Sequence, residues 1–129
     1  MKEYSVKYTK QVLNQVDEIV TYILDELQAV YAANSLLELF ERNMQSLDLM
    51  PERFPLVDYE PWRSEGIRKM VIAGYLVYYW VNDEDKTVWV ITVVSQLRNQ
   101  ENVLQDFHIV DKKVTFNKVH VAEEGSGYN

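Results

Sequence analysis

The chain has 129 residues, a length typical of one domain. Hydrophobic residues make up 47% and charged residues 26%, as in a folded globular protein, and no apolar run is long enough for a transmembrane helix. Cysteine is absent, which excludes a disulfide framework, thiol catalysis and thiolate zinc sites. The net charge of −7 disfavours nucleic-acid binding, because phosphate contacts need cations.

The N-terminal residues, MKEYSVKYTK, lack the apolar stretch of a signal peptide, so we expect a cytoplasmic protein without membrane contact. Residues 4–8 alternate between apolar and polar side chains, which predicts a half-buried strand. Thr9 fits the N-cap of a following helix. Apolar residues recur every three or four positions from Val12 to Leu27, which predicts a one-sided helix over residues 10–28.

A second apolar stripe runs from Ala33 to Leu47 and predicts another one-sided helix. It ends near Met50, because Pro51 disfavours helical geometry at the residue before it. Two such helices a few residues apart indicate an antiparallel hairpin laid on an apolar surface. Residues 51–65 hold all three prolines and predict a loop that packs against the body through its apolar side chains.

From Gly66 onward the composition shifts to β-branched and aromatic residues, which favour strands. Gly74 marks a turn or a bulge among them. Residues 82–86 are polar and predict the next turn. Residues 88–94 are almost entirely apolar, as in a central strand that is covered on both faces.

After this strand, residues 96–104 predict the end of the sheet region, with a short helix. Residues 1–104 then form the main domain and residues 105–129 a C-terminal extension. In the extension, Phe107–Val110 and Val114–Val121 predict a hairpin around residues 111–113. Its alternating pattern suggests that it folds back as an extra strand or covers the functional face.

The predicted order is β-α-α-β-β-β, an α+β fold in which a helical hairpin packs on a small antiparallel sheet. Three segments follow one another along the chain and carry a resemblance to a known family: IVTYI, LLELFERNMQSLDLMPERFPLV and GIRKMVIAGYLVYYWVNDEDKTVWVITVV. Over residues 4–104 the chain resembles the RelE/ParE superfamily of toxins from bacterial type II toxin–antitoxin systems, also called plasmid-stabilisation proteins.

The resemblance implies a growth-inhibiting toxin that is held inactive by a cognate antitoxin. RelE-like members cleave mRNA on the ribosome without a metal or another cofactor, and this is the first expectation here. ParE-like members inhibit DNA gyrase instead, and some relatives only bind an antitoxin. The partners implied are therefore the antitoxin and either the ribosome with its mRNA or gyrase, and an oligomer is also possible. The antitoxin would bind in a groove between the helical hairpin and the sheet, on the second helix or at the sheet edge.

RNA cleavage needs cations that stabilise the charged phosphorane, together with a proton acceptor and a proton donor. Arg68 matches the arginine that opens the second strand of the family, as a phosphate clamp or as a surface arginine paired with Glu65 or another acid. Arg98 is what remains of a basic cluster that relatives carry after the central strand. The resemblance implies that these two arginines are the catalytic candidates.

Lys69 and Tyr79 are the candidates for RNA binding. Lys69 neighbours Arg68 and points to the opposite side of a strand. Tyr79 could stack on a base or fill the core, as could Tyr75 and Tyr78. Trp80 and Thr92 stand where close relatives often carry arginine.

Other polar residues suggest weaker alternatives. Glu52 and Glu65 are either proton acceptors or solvated side chains. His108 and His120 have no third ligand at a metal-binding spacing, so no metal site is predicted.

Overall fold

The computed structural model describes residues 3–97, 107–110 and 113–116. The long elements follow the predicted order, and a single-turn helix, α3, is added in the loop before the second strand. Their bounds are β1 Ser5–Tyr8, α1 Lys10–Asp25, α2 Val30–Gln45, α3 Trp62–Glu65, β2 Ile67–Ile72, β3 Tyr75–Asn82, β4 Thr87–Ser95, β5 Phe107–Val110 and β6 Lys113–Phe116.

Strands β1 to β4 form one sheet in the spatial order β1-β4-β3-β2. Strands β2, β3 and β4 pair antiparallel, as predicted, whereas β1 pairs parallel with β4, so the sheet is mixed. No hairpin joins β1 to β4, because the two long helices follow β1, and antiparallel pairing is therefore not imposed. The α+β class is confirmed, and the prediction of a purely antiparallel sheet is corrected at β1.

Helices α1 and α2 pack on one face of this sheet and form the main core. Val12 and Val16 of α1 and Phe40 and Met44 of α2 are fully buried there, among apolar side chains of the sheet. Helix α1 ends three residues before the predicted position 28, since Gln28 adopts a positive φ of 51°. Leu27 consequently lies outside the apolar stripe and is 59% exposed. Within the described part of the chain, neither helix is long and apolar enough to cross a membrane.

The opposite face of the sheet is covered by the proline-containing loop and α3. Val57, Ile67, Tyr78 and Ile91 are fully buried in this second cluster, and Tyr59, Trp62, Trp80 and Trp89 pack against it in part. Strand β4 contributes side chains to both clusters, as its continuous apolar sequence predicted.

Gly74 was predicted to mark a turn or a bulge, and the structure shows that it belongs to the turn between β2 and β3. Ala73 and Gly74 form a two-residue turn with positive φ values of 51° and 85°, the conformation of a type I′ hairpin turn. The bulge lies in β4 instead. There the register with β3 passes from Tyr78↔Thr92 to Tyr79↔Val90, which leaves Ile91 as the extra residue.

A buried polar joint connects β1, α1 and β4 beside this bulge. The Thr9 hydroxyl donates to the Ile91 carbonyl at 2.6 Å and accepts the Val12 N–H at 3.1 Å, which confirms Thr9 as the N-cap. The side-chain Oε1 of Gln15 accepts from the Thr92 hydroxyl and from the Val93 N–H, both at 2.9 Å. The joint holds the start of α1 against the centre of the sheet.

In the C-terminal extension, β5 and β6 pair antiparallel in a register that starts at Phe107↔Phe116. The predicted hairpin is confirmed, and its second strand begins one residue earlier than expected. Residues 117–121 of the predicted second strand lie outside the described residues. So do residues 98–104 of the segment for which a short helix was predicted. The domain boundary at 104 and the fold-back of the extension stay predictions.

We expect Thr9→Val to lower the free energy of unfolding by about 1–3 kcal/mol, because it leaves the buried Val12 N–H and Ile91 carbonyl without partners. Urea denaturation followed by circular dichroism measures this loss. Thr21→Val, at an exposed site on the same helix, is the control and should change stability by less than about 0.5 kcal/mol. Equal stability of both variants would contradict the structural role of the joint.

Candidate functional site

Arg68 lies on the helix-facing side of β2, where it is the register partner of Tyr79. Its Nη1 donates to the carbonyl of Phe54 at 2.7 Å and to that of Glu52 at 3.2 Å. This nitrogen therefore fastens the segment before α3 to the edge of the sheet. The phosphate-clamp role predicted for Arg68 stays a prediction, and it would have to use the remaining guanidinium donors.

Tyr79 is fully buried beside Arg68, and its hydroxyl donates to the Pro51 carbonyl at 2.5 Å. Burial raises the pKa of Tyr79 to about 12, against the opposing influence of Arg68 and Arg53. In this conformation the ring presents no face to a nucleotide base. The structure thus places Tyr79 in the core, one of the two positions left open for it, and its role in RNA binding stays a prediction.

Arg53 is a third anchor of the same segment, and it was not among the candidates predicted from the sequence. Its Nη1 donates to the carbonyls of Ser46, Leu49 and Met50, at 3.2, 2.7 and 3.2 Å, and its Nη2 to the Ser46 hydroxyl at 2.7 Å. The guanidinium also lies 4.7 Å from the centre of the Phe54 ring. A basic residue shortly after a helix is the available signal, because such residues satisfy free carbonyls at helix C-termini.

Residues 50–54, termed here the anchored loop, are held from three sides by these contacts. Met50 takes a left-handed conformation with a φ of 48° immediately before Pro51. Arg53, Arg68 and Tyr79 donate hydrogen bonds to carbonyls within the loop or at its ends, which compensates for the unfavourable backbone geometry at Met50. These contacts have a structural role, because they hold the anchored loop in place.

Lys69 lies on the other face of β2, where its register partner is Tyr78 of the second cluster. The predicted opposition of Arg68 and Lys69 is confirmed by this register. The Lys69 ammonium is 4.0 Å from the Asp58 carboxylate, and its side chain is 24% exposed. Its role in RNA binding stays a prediction.

The second face of the sheet is poor in cations. Along strands β1 to β4 the cationic residues are Lys7, Arg68 and Lys69, and Arg68 points to the helix side. Trp80 is paired with Trp89 across β3 and β4, so an indole ring stands at the position where the resemblance led us to expect arginine. Thr92 hydrogen-bonds Gln11 and Gln15 of α1. The strands therefore contribute mainly apolar side chains to this face, which the proline-containing loop and α3 cover.

Two of the remaining candidates, Glu52 and Glu65, lie within the described residues. Arg98 and His120 lie outside the described residues. Glu52 and Glu65 are exposed, as the alternative of solvated carboxylates predicted. Across residues 3–97, no group of three His, Asp or Glu side chains is placed to hold a metal ion.

An antitoxin groove was expected between the helical hairpin and the sheet. The structure instead fills this interface with buried side chains of the helices and the sheet. Exposed apolar side chains gather instead at the free end of the helical hairpin, the hairpin tip, defined here as residues 21–32. They are Tyr22, Leu24, Leu27, Val30 and Tyr31. Around the tip, residues 11–41 contain six acidic residues, Asp17, Glu18, Asp25, Glu26, Glu38 and Glu41, and no Lys, Arg or His.

Comparison with known proteins identifies relatives of this architecture. Residues 6–100 match the family model described as the ParE toxin of the type II toxin–antitoxin system parDE. No curated protein matches the sequence.

Among solved structures, the chain is similar to one from a chromosomal ParDE toxin–antitoxin system of P. aeruginosa, with a TM-score of 0.59 and 14% identity, covering 72% of this chain and 96% of that one. It is also similar to a chain of a RelBE toxin–antitoxin complex from Mycobacterium tuberculosis, with a TM-score of 0.51 and 19% identity, covering 76% and 97%. These likenesses confirm the RelE/ParE-like fold.

The raised pKa of Tyr79 predicts a loss of stability in alkali. A tyrosine whose pKa rises from 10.0 unfolded to about 12 folded stabilises the fold fully below pH 10 and loses this contribution as the pH rises to 12. Two pKa units correspond to about 3 kcal/mol. We expect urea denaturation at pH 9–12 to show a shallower decline for Tyr79→Phe than for the unmodified chain. Parallel declines would contradict a buried, protonated Tyr79.

Proposed function

The chain belongs to the ParE toxin family of type II toxin–antitoxin systems, and we propose that it arrests growth by binding DNA gyrase until a cognate antitoxin neutralises it. The sequence resemblance left two targets open, mRNA on the ribosome and gyrase. We choose gyrase as the target, although mRNA cleavage was the first expectation from the resemblance.

The scarcity of cations on the strands of the sheet is the observation that carries this choice. Ribonucleolytic cleavage of this kind needs several cations and a proton-transfer pair around one phosphate. Here Arg68 and Lys69 point to opposite faces, and the buried Tyr79 offers no surface to RNA. Inhibition by binding another protein makes no such demand, because apolar surface and shape provide the contact.

Control by an antitoxin has separate support. The two solved structures described above come from toxin–antitoxin systems, and the second is a complex of both components. We infer that this chain likewise has a protein partner that covers exposed surface and blocks its access to the target.

A supercoiling assay tests the choice of target. Purified gyrase, ATP and relaxed plasmid are mixed with the purified chain, and we expect inhibited supercoiling and accumulation of cleaved plasmid. A translating ribosome extract receives the same protein, and mapping of RNA 5′ ends should give no new cuts. Lys69→Gln and Arg98→Gln should inhibit gyrase as strongly as the unmodified chain, because gyrase binding needs neither cation.

New cuts within translated codons, lost in Lys69→Gln or Arg98→Gln, would contradict the proposal and establish the nuclease. If neither assay responds while the antitoxin still binds, the chain is a non-toxic member of the family. Circular dichroism of each variant establishes that it is folded before the comparison is made.

A further inference from the structure

The hairpin tip is more exposed than the parts of the two helices that pack on the sheet. The fully buried residues of α1 are Val12 and Val16, and the buried residues of α2 begin at Ala33. Between them, Tyr22, Leu27 and Val30 are 57–59% exposed and Tyr31 is 87% exposed. Apolar side chains gathered at one exposed end are typical of a protein-binding surface.

The charge around these side chains is of one sign. The six acidic residues of the segment 11–41 account for nearly all of the net charge of −7. Asp25 and Glu26 adjoin Leu27 directly. A surface of this kind attracts a cationic partner and repels an anionic one.

Two shallow hollows, one on each helix, combine the acidic and aromatic features. One, on α1, has a volume of about 280 Å³ and is lined by Thr21, Tyr22 and the carboxylates of Asp17, Glu18, Asp25 and Glu26. The other, on α2, has a volume of about 470 Å³ and is lined by Tyr31, Glu38 and Glu41 among others. An exposed tyrosine beside carboxylates suits a guanidinium, which stacks on the ring and pairs with the acids.

We propose that the hairpin tip is the docking surface for a basic amphipathic segment of the antitoxin. Apolar side chains of that segment pack on Leu27 and Val30, and its arginines or lysines enter the hollows beside Tyr22 and Tyr31. The inference rests on the proposed control by an antitoxin, and it names the surface and the chemistry of the contact.

The distribution of charge favours this occupant over two others. A second copy of the chain would bring one acidic tip against another, and like charges at an interface cost binding energy. Nucleic acid is repelled for the same reason. A cationic protein segment satisfies both the apolar and the acidic components of the surface.

The test measures binding of the full chain to the full-length protein encoded beside its gene, by titration calorimetry at low and high salt. One variant combines Asp25→Asn with Glu26→Gln, and another combines Leu27→Ser with Val30→Ser. We expect each to raise the Kd about tenfold or more, and we expect salt to weaken binding of the unmodified chain more than of the charge variant. Glu65→Gln and Val71→Ser, exposed sites away from the tip, are the matched controls and should leave the Kd unchanged.

Each other result overturns the inference in a recognisable way. Tight binding that neither tip variant weakens would place the antitoxin elsewhere while leaving antitoxin control intact. Unchanged antitoxin binding combined with lost growth arrest in the tip variants would assign the tip to the target. If the neighbouring protein neither binds nor rescues growth, both the inference and the proposed antitoxin control are wrong.

Discussion

Burial of β4 on both faces is the constraint on which the rest of the structure depends. This strand lies between β1 and β3, and its side chains enter both apolar clusters. The two long helices must therefore cover one face, and the loop with α3 must cover the other. Thr9 and Gln15 satisfy backbone groups of β4 next to the Ile91 bulge, so the helices are seated by polar contacts as well as by packing.

A sheet that is filled on both faces leaves little room for a charged catalytic surface. The arginines near its edge bond to backbone carbonyls and immobilise the anchored loop, and Tyr78 and Tyr79 of β3 are buried. Exposed apolar side chains lie at the hairpin tip, and acidic residues surround them. The molecule consequently combines a sheet that is packed on both faces with an exposed apolar hairpin tip surrounded by acidic residues. This arrangement suits the recognition of proteins.

The fold was largely predictable, because its elements depend on local periodicity and the resemblance depends on segments in a fixed order. Thr9 as N-cap and the doubly covered β4 followed directly from side-chain patterns. The site was less predictable. Arg68 and Tyr79 have residue types suited to RNA chemistry, but their hydrogen-bond partners come from residues 14 to 28 positions away in the chain. No pattern around either residue reports such partners.

The sequence by itself determined the number and type of the main elements, the opposite orientation of Arg68 and Lys69, and the acidity of the segment 11–41, since these follow from spacing and composition. Only the tertiary structure decided that β1 runs parallel to β4, that Tyr79 is buried and that Arg53 and Arg68 hold the anchored loop. It also decided where the apolar stripe of α1 stops being covered. These features depend on which distant segments meet, and contacts over long separations are set by packing of the whole chain rather than by local preference.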